Sequence, residues 1–164
     1  MNFPLRTLNQ VTCFLLVSLL TFGNADRCSA QSGATGDLVI TFTDIRSKKG
    51  IIALALCTDA QQWPNDPAQE YHWEKEGLNQ HRMTVTLPRL PYGTYAIAVL
   101  DDENRNFKME YSMGLPREGW GMSTNPSFLK LTPPEFEECA FELDAPVVRM
   151  EIKMNYLRKN KKVN

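Results

Sequence analysis

One loop of this sequence carries oxygen side chains at the spacing of a calcium-binding loop. These are Asp102, Asn104, Asn106 and Glu110. Calcium prefers carboxylate and amide oxygens, and loops of the EF-hand type place them at alternate positions. However, Phe107 stands where such a loop needs glycine, and Met113 stands where it needs a bidentate acid. Because Asp and Asn also bind their own backbone in turns, the sequence favours a capped turn and keeps calcium as the alternative.

A second segment, GLPREGWGMSTN at residues 114–125, has the composition of a binding loop. Loops on a rigid β scaffold often carry binding residues, and an exposed indole suits stacking on a sugar ring or a peptide side chain. The candidate ligand-binding residues are Arg117, Glu118, Trp120 and Asn125. The alternative is that Trp120 folds back to close one end of the domain, with the glycines letting the backbone pass closely.

Patterns typical of catalysis are weak. The spacing of His72 and His81 does not match a pair of metal ligands on one helix, and no G-x-S-x-G motif occurs. The adjacent acids Asp101 and Asp102 would point to opposite faces of a strand, which does not form a carboxylate pair. We therefore predict a protein without catalytic residues. A hydrolytic enzyme that uses Asp101, Asp102 or Glu118 is the alternative.

The elements that carry these loops alternate apolar and polar residues, which is typical of β-strands. The clearest runs are DLVITFTDI from Asp37, HRMTVTL from His81, TYAIAVLD from Thr94 and VVRMEIKMN from Val147. Proline and glycine turns separate the strands, and no long amphipathic helix interrupts them. The sequence predicts an all-β fold, a single antiparallel Greek-key β-sandwich of about seven strands.

An insertion at residues 59–80 separates the second and third predicted strands. Pro67 and Gly77 stand where a short helix begins and ends, so we expect the insertion to be partly helical. The second strand, Ile51 to Thr58, is apolar on both faces and needs a cover. Trp63, Tyr71 and Trp73 supply apolar area for such a lid, and an exposed aromatic surface is the alternative.

The N-terminal residues 1–30 have the pattern of a cleaved export signal. The apolar run VTCFLLVSLLTF is too short for a membrane anchor, and small residues precede a cleavage point expected after Ala30. We expect a flexible leader over 31–36, the β-sandwich over 37–156 and a basic disordered tail over 157–164. The expected location is secreted or periplasmic, with no membrane span in the mature chain. The net charge of −1 offers no basic field for nucleic acid.

Two cysteines, Cys57 and Cys139, remain after the expected cleavage. Export permits a disulfide between them. Alternation places Cys57 opposite the bulky face of its strand, whereas Cys139 aligns with Phe141 and Leu143. The sequence favours two buried thiols, and a disulfide is the alternative.

The two loops together resemble a bacterial family of exported proteins described as domain of unknown function 2141. The matching residues are Asp102, Asn104, Asn106 and the run from Gly114 to Ser123, followed by Asn125, Pro133, Pro134, Phe136 and Ala140–Phe141. The similarity covers roughly residues 37–154. The chain departs from the family at Asp101, Phe107 and Glu110, where His, Gly and Asp are common. The resemblance implies export and a β-sandwich, but no activity.

A looser likeness links Leu90, Pro91, Gly93 and Tyr95 to the turn that starts a core strand in transthyretin-like and collagen-binding-B-type sandwiches. It supports a fold analogy alone, because function does not follow from fold. The sequence predicts an exported binding or structural module that recognises a glycan or a peptide through its end loops. A calcium-stabilised scaffold and a hydrolytic enzyme are the alternatives.

Overall fold

The computed structural model of this chain describes residues 33–127 and 134–157. The expected signal peptide and its cleavage point, residues 1–30, lie outside these ranges, as do residues 158–164 of the expected tail. The first strand already begins at Thr35, within the segment that we expected to be a flexible leader. Within the described ranges, no helix has the length and hydrophobicity needed to cross a membrane.

The described residues are mostly β-structure, as the alternating pattern predicts. The strands are β1 (Thr35–Thr43), β2 (Ile51–Cys57), β3 (Gln69–Glu74), β4 (Met83–Pro91), β5 (Gly93–Asp102), β6 (Tyr111–Ser112), β7 (Leu115–Pro116), β8 (Gly119–Met122), β9 (Phe141–Leu143) and β10 (Val147–Lys153). A 3₁₀ turn at Lys75–Gly77 follows β3, and one turn of helix, α1 (Phe136–Cys139), precedes β9.

Two larger sheets contain most of the strands. One has the order β10-β1-β4, and the other has the order β3-β2-β5-β8, with β9 pairing with the first residues of β5. β1 and β10 run parallel, from Asp37 opposite Val147 to Thr43 opposite Lys153. The expectation of a purely antiparallel arrangement is therefore wrong at this pair. Alternation of apolar and polar residues identifies the buried face of a strand. The same alternation fits either direction of the strand, so it cannot distinguish parallel from antiparallel pairing.

One hydrophobic core receives side chains from strands of both larger sheets. The inward residues predicted for β1 (Leu38, Ile40 and Phe42) are fully buried. Those predicted for β4 (Met83, Val85 and Leu87) and for β5 (Tyr95, Ile97 and Val99) are also buried. The predicted alternation of β1, β4 and β5 is confirmed. Burial of these branched and aromatic side chains is the main force that holds the two sheets together.

The insertion contains a strand where we expected a helix. Gln69–Glu74 pairs antiparallel with β2, and the helical geometry is limited to the 3₁₀ turn that follows. The helix prediction is wrong because the residues QEYHWE also alternate, and the free edge of β2 offers them backbone partners. Tyr71 and Trp73 lie on the core side with their rings stacked at 5.9 Å between centroids.

A smaller cluster covers the opposite face of the sheet that contains β2 and β5. Trp63 of the insertion packs there edge-on against Phe136, with ring centroids 6.1 Å apart. Cys57 and Cys139 lie in this cluster as free, buried thiols, so the favoured prediction is confirmed. Cys57 lies opposite the main core, as alternation predicts. The predicted position of Cys139 is wrong, because Cys139 ends α1 and shares the cluster with Cys57 instead of facing the main core.

Candidate functional site

The loop that follows β5 is built around the carboxylate of Asp102. This side chain is fully buried and accepts the backbone N–H groups of Arg105 at 2.6 Å, Asn106 at 3.2 Å and Phe107 at 2.8 Å. Phe107 adopts a φ of 57°, the left-handed conformation that glycine would favour at this position. Asp102 thus organises a tight turn from its centre and has little capacity left for another ligand.

The other three predicted metal ligands also bind within the loop. The Asn104 side-chain oxygen accepts the N–H of Asn106 at 3.0 Å, and the Asn106 oxygen accepts the N–H of Lys108 at 2.9 Å. The Asn106 amide donates to Glu110 at 3.2 Å, and Glu110 also forms an ion pair with Arg117 at 3.4 Å. In the described parts of the chain, no three acidic, His or Cys side chains converge on one point.

Glu118 is the unusual carboxylate of this region. It is only 4% exposed, and neither of its oxygens has a hydrogen bond of good geometry. Burial raises the pKa of Glu118, and the negative charges of Asp102 and Glu110 raise it further. Backbone groups of Glu110 and Glu103 offset part of this rise in pKa. Glu118 is therefore an internal acid, not the exposed polar contact that its loop position suggests.

Trp120 lies on the outer face of a sheet. It is in β8, directly opposite Leu100 of β5, and its backbone exchanges hydrogen bonds with Asn155 at 3.1 and 2.7 Å. Residues opposite one another share a sheet face, so Trp120 and Leu100 continue a row through Ala53 to His72 of β3. The indole is half-buried. It neither closes an end of the domain nor stands free in a loop.

The four candidate ligand-binding residues do not meet at one place. Arg117 pairs with Glu110 beside the loop, Glu118 is buried, and Trp120 belongs to the sheet face. Asn125 contacts β10 instead, where its amide donates to the Glu151 carbonyl at 2.8 Å and its oxygen accepts the Lys153 N–H at 2.7 Å. Asn125 therefore joins the end of the GLPREGWGMSTN segment to an edge strand.

A buried polar network, which sequence reasoning missed, supports the end of β5. The ammonium of Lys75 forms an ion pair with Asp101 and donates to the Lys49 carbonyl at 2.6 Å. The Tyr156 hydroxyl donates to the second oxygen of Asp101. Burial raises the pKa of Asp101, and the bonds from Lys75 and Tyr156 counteract that rise. The sequence does contain a sign of this network. In the two-residue alternation of the strand, Asp101 falls on the same inward face as Ile97 and Val99.

The network continues toward the surface through Arg46. Its backbone N–H donates to the Tyr156 hydroxyl at 3.0 Å, and its guanidinium lies 4.6 Å from the centre of that ring. Arg46 also binds Glu103 at 2.7 Å, and Ser47 donates to the same carboxylate at 2.7 Å. Burial alone would raise the pKa of Glu103, but the contacts with Arg46 and Ser47 outweigh it and lower the pKa. Arg46 and Ser47 thus fix the position of Glu103 at the start of the loop.

Exposed apolar side chains concentrate in residues 107–115, which we call the apolar segment. Phe107 is 60% exposed, Tyr111 64%, Met113 97% and Leu115 51%. The paired strands β6 and β7 hold Tyr111 and Leu115 in place, and the ring of Phe107 meets His72 edge-on at 5.8 Å. The apolar segment therefore adjoins the outer sheet face that carries Trp120.

The sequence of this chain matches a known protein family. The model of a family described as uncharacterized proteins conserved in bacteria, DUF2141, matches residues 40–151, which is more than half of the 164 residues. The chain belongs to this family. No curated protein matches it, and no solved structure matches it. The likeness to transthyretin-like and collagen-binding-B-type sandwiches therefore stays a prediction.

The DUF2141 match includes the Asp102 turn, the apolar segment, Glu118 and Trp120. It ends before Tyr156, which completes the buried network. Membership in the DUF2141 family confirms the resemblance seen in the two loops. Because the family is uncharacterized, membership adds no activity to the geometry.

Proposed function

We propose that this DUF2141 protein is a non-catalytic binding module that recognises a polypeptide through its apolar segment. The observation that carries the proposal is a concentration of exposed side chains. Among the described residues, four of the six exposed large hydrophobic side chains lie within residues 107–115. Adjacent exposed apolar side chains commonly mark interaction sites. We also propose that the chain is exported to a secreted or periplasmic location, on the basis of its N-terminal sequence pattern.

The side-chain chemistry of the apolar segment favours a polypeptide over a glycan. Met113 and Leu115 have no ring to stack on a sugar, whereas flexible thioether side chains adapt well to irregular apolar partners. Lys108, Glu110 and Arg117 would supply the polar rim that is usual around such a patch. Glycan stacking would require a free face on Trp120, which is half-buried.

The placement of the loop carboxylates supports the non-catalytic part of the proposal. Asp101 and Asp102 are fully buried, and Glu118 is 4% exposed. A general acid or base must come within hydrogen-bonding reach of its substrate. Asp101 instead binds Lys75, and Asp102 binds the backbone of its own loop. The scaffold that we propose beneath the binding surface is a single Greek-key β-sandwich, supported by the core that both larger sheets share.

The test uses a triple variant of the apolar segment, Tyr111→Ser, Met113→Ser and Leu115→Ser. Peptides that bind the wild-type protein are selected from a random-peptide display library, and the affinity of one of them is measured by fluorescence anisotropy. We expect the triple variant to lose at least about tenfold in affinity, since truncating the central apolar contacts of an interface costs about 1 to 2 kcal/mol or more. Its melting temperature should change little, because the three side chains are exposed.

Val147→Ser is the matched control, since this side chain is 47% exposed on β10, outside the apolar segment. Wild-type affinity in a folded triple variant would reject the proposed surface. A glycan array provides the second arm. If no peptide is selected, and a glycan binds wild type but not Trp120→Ala, glycan recognition on the outer sheet face replaces the proposal.

A further inference from the structure

The strand β3 forms an open edge of its sheet. It pairs with β2 on one side, and no described residue forms a backbone hydrogen bond with its other side. A free strand edge presents unpaired N–H and C=O groups, and proteins usually protect such an edge with proline, a bulge or a covering segment. β3 has the sequence QEYHWE, without proline or glycine. Its edge can therefore accept a further strand.

The strands at the other three ends of the two sheet orders are protected. β4 contains Pro88 at the point where its register with β1 shifts. Backbone hydrogen bonds between Trp120 and Asn155 join β8 to the segment that follows β10. The side chain of Asn125 binds one backbone carbonyl and one backbone N–H of β10, as a neighbouring strand would. Of the four end strands, β3 is the one that no described residue protects in this way.

Two aromatic side chains of β3 are incompletely covered by the described chain. Tyr71 and Trp73 pack against the core, yet both remain half-buried. They are on the last strand of their sheet, so no further strand in the described ranges lies beside them. Burial of apolar area drives association, and aromatic rings contribute much of that area. A strand added to β3 would cover these two rings.

We propose that β3 pairs antiparallel with β3 of a second copy of this protein across a two-fold axis. The two sheets then form one continuous sheet, and each copy contributes the same surface to the interface. Side chains that face each other across an antiparallel pair lie on the same face of the sheet. Glu70, His72 and Glu74 share the outer face, because Tyr71 and Trp73 between them point to the core side.

The charges on the outer face select the register of this pairing. When Tyr71 faces Tyr71 of the second copy, Glu70 faces His72, and the two-fold axis repeats this contact. An imidazole opposite a carboxylate can donate a hydrogen bond to it, and opposite charges across a sheet are favourable. A register with His72 opposite itself would place Glu70 opposite Glu74, whose oxygens already bind Arg105 at 2.6 Å. A register with Glu70 opposite itself would set two carboxylates face to face.

Sedimentation equilibrium of the protein, purified in its natural form, tests for the dimer. A pair of six-residue strands is smaller than a standard interface, so we expect a Kd on the order of 10 to 100 μM. A concentration series around this value should show a reversible transition between monomer and dimer. The triple variant of the apolar segment should give the same transition, because this pairing is independent of the proposed polypeptide binding.

Two charge substitutions and their combination test the facing residues. Glu70→Lys should weaken the dimer by about three- to thirtyfold, because the lost contact occurs twice. His72→Glu should weaken it more, since it sets carboxylates opposite each other. The double variant should dimerise at least as tightly as the wild type, because it restores opposite charges. Glu70 and His72 are exposed, so melting temperatures should change little. Glu137→Lys, the same charge change at an exposed position of α1, is the matched control and should dimerise like the wild type.

Cysteine cross-linking tests the register. Under mild oxidation, a mixture of Glu70→Cys and His72→Cys should form a disulfide-linked dimer, because facing residues of an antiparallel pair lie within disulfide range. Each variant alone should remain largely unlinked, since Cys57 and Cys139 are buried. The proposal is overturned if the wild type is monomeric throughout, if the single charge variants dimerise like the wild type, or if Glu70→Cys links to itself as readily as to His72→Cys. If a monomeric wild type binds selected peptides and His72→Glu does not, β3 pairs with a foreign strand instead.

Discussion

Replacing Lys75 with methionine gives the sharpest test of the buried network. The side chains of Lys75 and Asp101 are both 0% exposed and form an ion pair, and Tyr156 supplies one further hydrogen bond to the carboxylate. Methionine fills a similar volume without charge. The variant Lys75→Met therefore leaves Asp101 buried with the Tyr156 hydroxyl as its remaining side-chain partner.

The expected cost follows from this complete burial. Removing one partner of a buried ion pair typically destabilises a protein by about 3 to 5 kcal/mol, because the other charge is left uncompensated. With a urea m-value of about 2 kcal/mol/M, the unfolding midpoint falls by about 1.5 to 2.5 M. Asp101→Asn should lower the free energy of unfolding by a similar amount, since it leaves the buried ammonium of Lys75 without a counter-charge. The double variant should cost clearly less than the sum of the two, because neither charge remains.

Urea unfolding followed by circular dichroism measures all four proteins. The matched control is Lys153→Met, because Lys153 pairs with Asp44 at 3.5 Å with both side chains 61% exposed. Exposed pairs contribute about 0 to 1 kcal/mol, so the midpoint of this control should hardly move. If Lys75→Met costs less than about 1 kcal/mol, or if the two single effects simply add, the buried ion pair does not stabilise the end of β5.

Two further predictions concern close packing and thiol reactivity. A Cβ at Gly119 would lie 2.2 Å from the Tyr156 ring, so Gly119→Ala should displace the ring from Asp101 and cost about 1 to 3 kcal/mol in thermal unfolding. Gly77→Ala is the neutral control, because a Cβ at Gly77 would meet no atom within 4 Å. Equal melting temperatures of Gly119→Ala and Gly77→Ala would contradict the close contact between Gly119 and Tyr156. Burial raises the pKa of the Cys139 thiol to about 11, so roughly one thiol in a thousand is ionised at pH 8. Labelling of Cys139 by iodoacetamide, followed by mass spectrometry, should be slow in the native protein at pH 8. The labelling should become faster as the pH rises, and it should be fast in urea. Rapid labelling of the native protein at pH 8 would show that the thiol is accessible.

The sequence predicts well those features that depend on one strand at a time. Alternation placed Leu38, Ile40 and Phe42 in the core because the two-residue period of a strand is fixed by backbone geometry. Family membership was also predictable, since the residues that carry it lie near one another in the sequence, between Asp102 and Phe141. The parallel pairing of β10 with β1 was not, because the choice of partner depends on the path of the whole chain.

The candidate site was harder to predict than the fold, because it depends on burial and on distant partners. In the sequence, Lys75 belongs to a polar insertion. In the structure, it forms an ion pair with Asp101, which lies 26 positions further along the chain. Glu118 and Trp120 were grouped by their closeness in sequence. In the structure the first is enclosed behind the loop and the second lies on a sheet face. Composition identifies candidate residues, whereas their roles depend on which of them the fold encloses.

The parallel pairing of β1 with β10 determines how the domain would respond to force. Pulling on the start of β1 and the end of β10 draws the two strands past each other, since they point the same way. Seven facing residue pairs, from Asp37–Val147 to Thr43–Lys153, would then bear the load together in shear. In an antiparallel pair loaded at one end, the hydrogen bonds between the strands would break one after another. Because forced unfolding is governed by the unfolding rate, we expect tension across β1 and β10 to unfold the domain more slowly than it would unfold an antiparallel pair loaded at one end.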